Sequence, residues 1–115
     1  MQKMLDSFSE KAKIYLTDIE KRNVFPTKEA LKNLSHLDID LQDTPISPET
    51  VLNELDAFGS PATVASIGNR YFGFVIGGSI PAALDANLLA GVWDQNAFSE
   101  TSSPLGAYIE TICAK

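Results

Sequence analysis

The sequence predicts a mainly α-helical chain of about four helices joined by extended connectors. Three observations lead there: apolar residues recur every three or four positions between Leu5 and Ile19, Ser-Pro pairs stand at 47–48 and 103–104, and Pro81–Trp93 is a long run with an apolar face. The first is the period of an amphipathic helix, and the second places a capping hydroxyl before a proline suited to the first helical turn. The 115 residues are 44% hydrophobic and 21% charged, which is the balance of a folded globular chain and too apolar for a disordered one.

In the first segment, residues 1–22, Leu5, Phe8, Ala12, Tyr15, Leu16 and Ile19 form one stripe between Glu10, Lys11, Lys13, Asp18 and Lys21. This predicts a helix from Met4 to about Arg22, stopped by Phe25-Pro26 because proline excludes the α conformation before it. Residues 23–46 read as a connector. Thr27–Leu31 offers one helical turn, and His36–Asp43 alternates with period two, laying Leu37, Ile39 and Leu41 on another surface.

The third segment, residues 47–115, contains the remaining helices. Ser47, Pro48 and Glu49 start a short helix that carries Val51, Leu52, Leu55 and Phe58 and ends at Gly59. Small residues at 60–68 lead into Arg70–Ser79, where Tyr71, Phe72, Phe74, Val75 and Ile76 are too apolar for a free loop and too glycine-bounded for a helix. Two readings stay open for it: a core strand, or the apolar wall of a pocket for a flat ring or an aromatic side chain. Pro81–Trp93 then forms a helix with Leu84, Leu88 and Val92 on one face and Ala82, Ala83, Ala86, Ala90 and Gly91 on another, so it is expected to pack on more than one side. Asp94-Gln95-Asn96 ends it. The last helix starts at Ser103-Pro104 and is still periodic at Ile112, with no glycine or proline after it, the pattern of a helix cut short.

Composition excludes several function classes. Nine Lys plus Arg against fifteen Asp plus Glu leave a net charge of -6, the wrong sign for neutralising the phosphates of nucleic acid or of an anionic membrane. The alternating N-terminus lacks the apolar core of a signal peptide, and the longest apolar stretch falls short of the ~20 residues of a membrane helix. One cysteine, Cys113, makes no internal disulfide, so a cytoplasmic location is expected; beside Ile112 it reads as a small buried hydrophobe. One histidine, His36, excludes a histidine metal cluster or a catalytic triad. Gly73, Gly77 and Gly78 do not have phosphate-loop spacing, and Asp38, Asp40 and Asp43 lack the glycine and closing glutamate of a calcium loop. No catalytic residue and no metal site is expected in this chain.

The block Asn69–Leu84, followed by Leu88-Leu89-Ala90-Gly91-Val92-Trp93-Asp94-Gln95-Asn96-Ala97 and Ser102-Ser103-Pro104, resembles the N-terminal part of the group II pyridoxal-phosphate-dependent amino-acid decarboxylases, the family of the aromatic-amino-acid and glutamate decarboxylases. The likeness extends to the first helix, the Val24-Phe25-Pro26 break and the Ser47-Pro48 helix. It implies the N-terminal helical arm of a fold-type-I enzyme whose catalytic large domain is absent here. That arm embraces the other subunit of a homodimer. By the same resemblance Phe72, Gly73, Phe74, Val75, Ile76 and Gly77 line the substrate side of the pocket, with Phe74 and Val75 at its aromatic wall. Asn96 and Phe98 match a loop reaching into the neighbouring subunit's active site.

Many animal members have a His-x-Pro sequence before the aromatic block, where this chain has Ile67, Gly68 and Asn69, so no substrate identity is carried over. The family's Schiff-base lysine, ring-stacking histidine and pyridine-pairing aspartate lie downstream of the matched region. The resemblance therefore implies pyridoxal phosphate and an amino-acid substrate in the parent enzyme, with no cofactor covalently bound by these 115 residues and no decarboxylation by them alone. The alternative reading is a stand-alone helical interaction module without cofactor.

Overall fold

Hydroxyl capping decides where three of the helices begin. In the computed structural model, which describes residues 1–115, Thr27, Ser47 and Ser103 each accept a hydrogen bond from a backbone N–H three residues on, at 3.1, 3.1 and 3.2 Å. These satisfy donors that a helix start would otherwise leave unpaired. Five helices result and no strand: α1 (Gln2–Asp18), α2 (Lys28–Asn33), α3 (Pro48–Glu54), α4 (Pro81–Trp93) and α5 (Pro104–Cys113). The chain is mainly α, as expected. It divides into two compact units, Met1–Gly78 and Ser79–Lys115.

In the first unit α1 ends at Asp18, short of the expected Arg22, because Lys21 and Arg22 turn back to donate to the Asp18 carbonyl at 2.9 and 3.0 Å. That turn buries Ile19 and sets the Arg22 guanidinium 4.3 Å over the Tyr15 ring. Residues 23–46 are more helical than the sequence suggests. α2 runs on through a 3₁₀ turn at Leu34–Leu37, and of the three alternating residues only Leu37 is half-buried, while Leu41 is 99% exposed. α3 continues through a π turn at Leu55–Gly59 and a 3₁₀ turn at Ser60–Ala62. His36 stacks on Phe58 with ring centroids 4.5 Å apart. The buried centre is small: Ile19, Pro26, Ala30 and Ala65.

The second unit is a helix pair. α4 begins and ends where the sequence places it, and Asp94 stops it in the left-handed conformation at φ 48°, its N–H on the Ala90 carbonyl at 3.1 Å. In the following loop Asn96, Ser99 and Ser102 hydrogen-bond to one another, and α5 starts from the buried Ser103. The expectation that α4 packs on more than one side is not met within this chain: Leu84 is half-buried, but Leu88, Leu89, Val92 and Trp93 are exposed, as are Leu105, Tyr108, Ile109 and Ile112 of α5. Cys113, expected among buried hydrophobes, is also exposed. Ser103 is the only buried residue of this unit.

The chain exposes 9568 Å² of surface. Area-to-mass scaling gives roughly 7,300 Å² for two compact units of these sizes, about 2,200 Å² less than the chain exposes. Much of the exposed surface is apolar, since large hydrophobic side chains of every helix and of the 71–80 segment stand exposed.

Candidate functional site

The glycine-flanked aromatic segment does not form a strand. It is a closed loop. The Gly78 N–H donates to the Ser66 carbonyl at 2.9 Å, pinning the two ends together in the manner of an Ω-loop. Gly77, at φ 101°, crosses the Tyr71 ring so closely that a Cβ there would stand 2.8 Å from a ring carbon and would also strike the Ser66 carbonyl. A side chain at 77 is excluded both by contact and by backbone conformation.

The base of the loop is tied to the end of α1. Arg22 donates through Nη1 to Ser60 Oγ at 3.2 Å and through Nη2 to the Ser60 carbonyl. Arg70 donates to the Arg22 carbonyl, and Ala65 N–H to the Val24 carbonyl at 2.9 Å. Gly68 passes against Ile19, where a Cβ would come within 3.3 Å of the isoleucine side chain. These polar ties hold a segment that has few buried apolar contacts of its own.

At the tip, Gly73–Ile76 is a tight turn closed by the Ile76 N–H on the Gly73 carbonyl at 3.3 Å, with Phe74 at φ 55° and Val75 at φ 56°. Positive φ at both central residues is the pattern of a type I′ turn, which Asn and Gly normally occupy. Bulky L-residues there cost about 1–2 kcal/mol each, and a β-branched valine is the least suited. Strain alone would be unremarked in a buried turn, but Phe72 is 91%, Phe74 90% and Val75 fully exposed. The turn thus holds apolar side chains in water by a backbone they disfavour, so neither local conformation nor burial within this chain accounts for it.

The sequence-predicted residues fall in two places. Phe72, Gly73, Phe74, Val75, Ile76 and Gly77 lie together on this loop in the first unit. Asn96 and Phe98 lie on the α4–α5 loop of the second, where Asn96 Oδ1 accepts from the Phe98 N–H at 3.0 Å and the Phe98 ring is 89% exposed.

A groove missed in the sequence runs between α1 and α3. It has a volume of about 400 Å³ and is lined by Phe8, Ala12, Tyr15, Leu52 and Leu55, with Lys11 and Asp56 paired at 3.5 Å and Tyr15 hydrogen-bonded to Thr63 at 2.9 Å. The stripe on α1 was legible, but its partner face on α3 was not, because the pairing of two distant short helices has no local signal.

No group of three His, Cys, Asp or Glu gathers where it could hold a metal. His36 is engaged with Phe58 and with the Asn33 carbonyl at 2.9 Å, and Lys11 is paired with Asp56. What this chain offers is shape and apolar surface. No helix is long and apolar enough to cross a membrane. Compared with known proteins, the chain matches no family model, no curated protein and no solved structure.

Proposed function

We propose that the chain is a docking segment: the N-terminal part of a pyridoxal-phosphate-dependent amino-acid decarboxylase, supplying homodimer contacts and part of the substrate wall in a cytoplasmic enzyme. The observation that supports docking is the excess of exposed apolar surface, above all a second unit in which no apolar side chain is buried. A helix pair of fewer than about 40 residues does not supply a core by itself, and contiguous exposed apolar surface marks an interaction site. The resemblance of Asn69–Pro104 to the decarboxylase arm names the partner as the catalytic body and the second subunit.

In this reading Phe72–Gly77 face the substrate, and Asn96 with Phe98 reach the neighbouring subunit's site. When bound in the parent enzyme, pyridoxal phosphate would supply the electron sink for loss of carbon dioxide, and by the resemblance its lysine, histidine and aspartate partners would come from outside these residues. The residues of this chain exclude water and shape the pocket.

A second reading, a stand-alone helical interaction module, is favoured by the lack of any family match and of any cluster of chemically active side chains. Cofactor absorbance and carbon dioxide release, assayed on the native gene product, separate the two. The decarboxylase reading expects both; a product that binds no cofactor leaves the module.

A further inference from the structure

The aromatic loop is fixed at its base and free at its tip. A Cβ at Gly73 would stand 2.9 Å from the Tyr71 hydroxyl and one at Gly77 would stand 2.8 Å from a carbon of the same ring, so both glycines lie against Tyr71. Gly78 is tied to the Ser66 carbonyl at 2.9 Å. Between these points Phe74 and Val75, at φ 55° and 56°, are held by the 3.3 Å hydrogen bond from the Ile76 N–H to the Gly73 carbonyl. Their side chains are uncovered, Phe74 at 90% exposure and Val75 fully exposed. Disfavoured backbone angles persist where the surrounding structure over-determines them, and they gather in ligand clamps and switch segments. That surrounding structure is missing at the two residues that need it.

We propose that the Gly73–Ile76 turn is a two-state strap on the substrate wall. In the state seen here both central φ are positive and Phe74 and Val75 are presented for an apolar contact; in the other both are negative. The uncharged, apolar side chain of an amino-acid substrate holds the strap in the first state. The proposal deepens the reading of Phe72–Gly77 as a substrate wall, and rests on it for the ligand but not for the two states.

Type I and type I′ turns are mirror images that close the same hydrogen bond between their first and fourth residues. Exchange between them therefore keeps Gly73 and Ile76 bonded and redirects the two side chains between them. Asn and Gly suit the central positions of type I′, whereas type I accepts Phe and Val. Relief of strain thus favours the second state and apolar contact the first, so the contact sets the balance. No charged residue lies between Tyr71 and Ile80, and the adjacent cation, Arg70, is bonded to the Arg22 carbonyl. The group that selects the first state is accordingly apolar.

The test is nitrogen-15 relaxation dispersion, with the sign of φ at residue 75 read by cross-correlated relaxation, on the full chain and its V75G, V75A and F74P variants. Val75→Gly removes the penalty of positive φ and Val75→Ala keeps most of it, while both delete the branched side chain, so their difference isolates the backbone. Phe74→Pro sets φ at about −65° and marks the second state. The expected result is millisecond exchange at residues 74–76 of the unaltered chain, with Tyr71 and Gly78 quiet. V75G shifts the balance toward positive φ at least about tenfold more than V75A. Decarboxylation of the common L-amino acids by the native gene product is fastest for one with an apolar side chain, and its KM is at least about threefold lower in V75G than in V75A.

A single sign of φ at residue 75 without dispersion, equal behaviour of V75G and V75A, or exchange that spreads to Tyr71 and Gly78 would overturn the proposal. So would a charged amino acid as the fastest substrate. A native product without cofactor overturns the decarboxylase reading instead, and the relaxation data then decide the two states by themselves.

Discussion

Gly77 shows how one residue fixes the presentation of five others. Its φ of 101° and its passage across the Tyr71 ring close the loop at Ser66, and Gly77→Ala introduces both a strained backbone and a collision with backbone carbonyl and ring. We predict a loss of about 1–3 kcal/mol in unfolding free energy, measured by urea denaturation. Arg22 is the second such residue, joining the Tyr15 ring, Ser60 and the carbonyl that Arg70 reads. Arg22→Lys keeps the charge but loses the planar fork, so the conservative change is expected to destabilise the loop almost as much as Arg22→Ala, by about 1–2 kcal/mol. Hydrogen exchange at the Gly78 N–H reads that change directly, as faster exchange in both variants.

At the scale of elements, the caps are where sequence and structure coincide most closely. Ser47 and Ser103 start α3 and α5 by accepting from Thr50 and Gly106, and replacing either with Ala is expected to cost about 1 kcal/mol, with Ser103 the larger because it is buried. Faster amide exchange in the first turn of α5 in Ser103→Ala checks this. Such local chemistry made α4 and the start of α5 legible to the residue. α2 was underestimated because Thr27 capping is a short signal that the following alternation obscured, and α1 was overestimated because the Arg22 contacts that turn its end are made with residues far along the chain. The aromatic segment was open between strand and pocket wall because its periodicity fits both. The turn that rules out the strand depends on positive φ at Phe74 and Val75, residue types that ordinarily argue against such a turn.

For the whole molecule the account is one of incomplete burial. A chain that exposes 9568 Å² where about 7,300 Å² would suffice for two compact units is expected to stick to its own kind. Its sedimentation coefficient should rise with concentration, and added apolar-binding dye should fluoresce strongly and compete with that association. The placement of Phe72–Gly77 on a loop held by backbone ties gives the segment a shape to offer. The measurement that tests this most directly is the intact mass and the cofactor absorbance of the native gene product isolated from its source cells. A mass several times 12.5 kDa with bound pyridoxal phosphate is the result predicted here; a cofactor-free product of 12.5 kDa would contradict it.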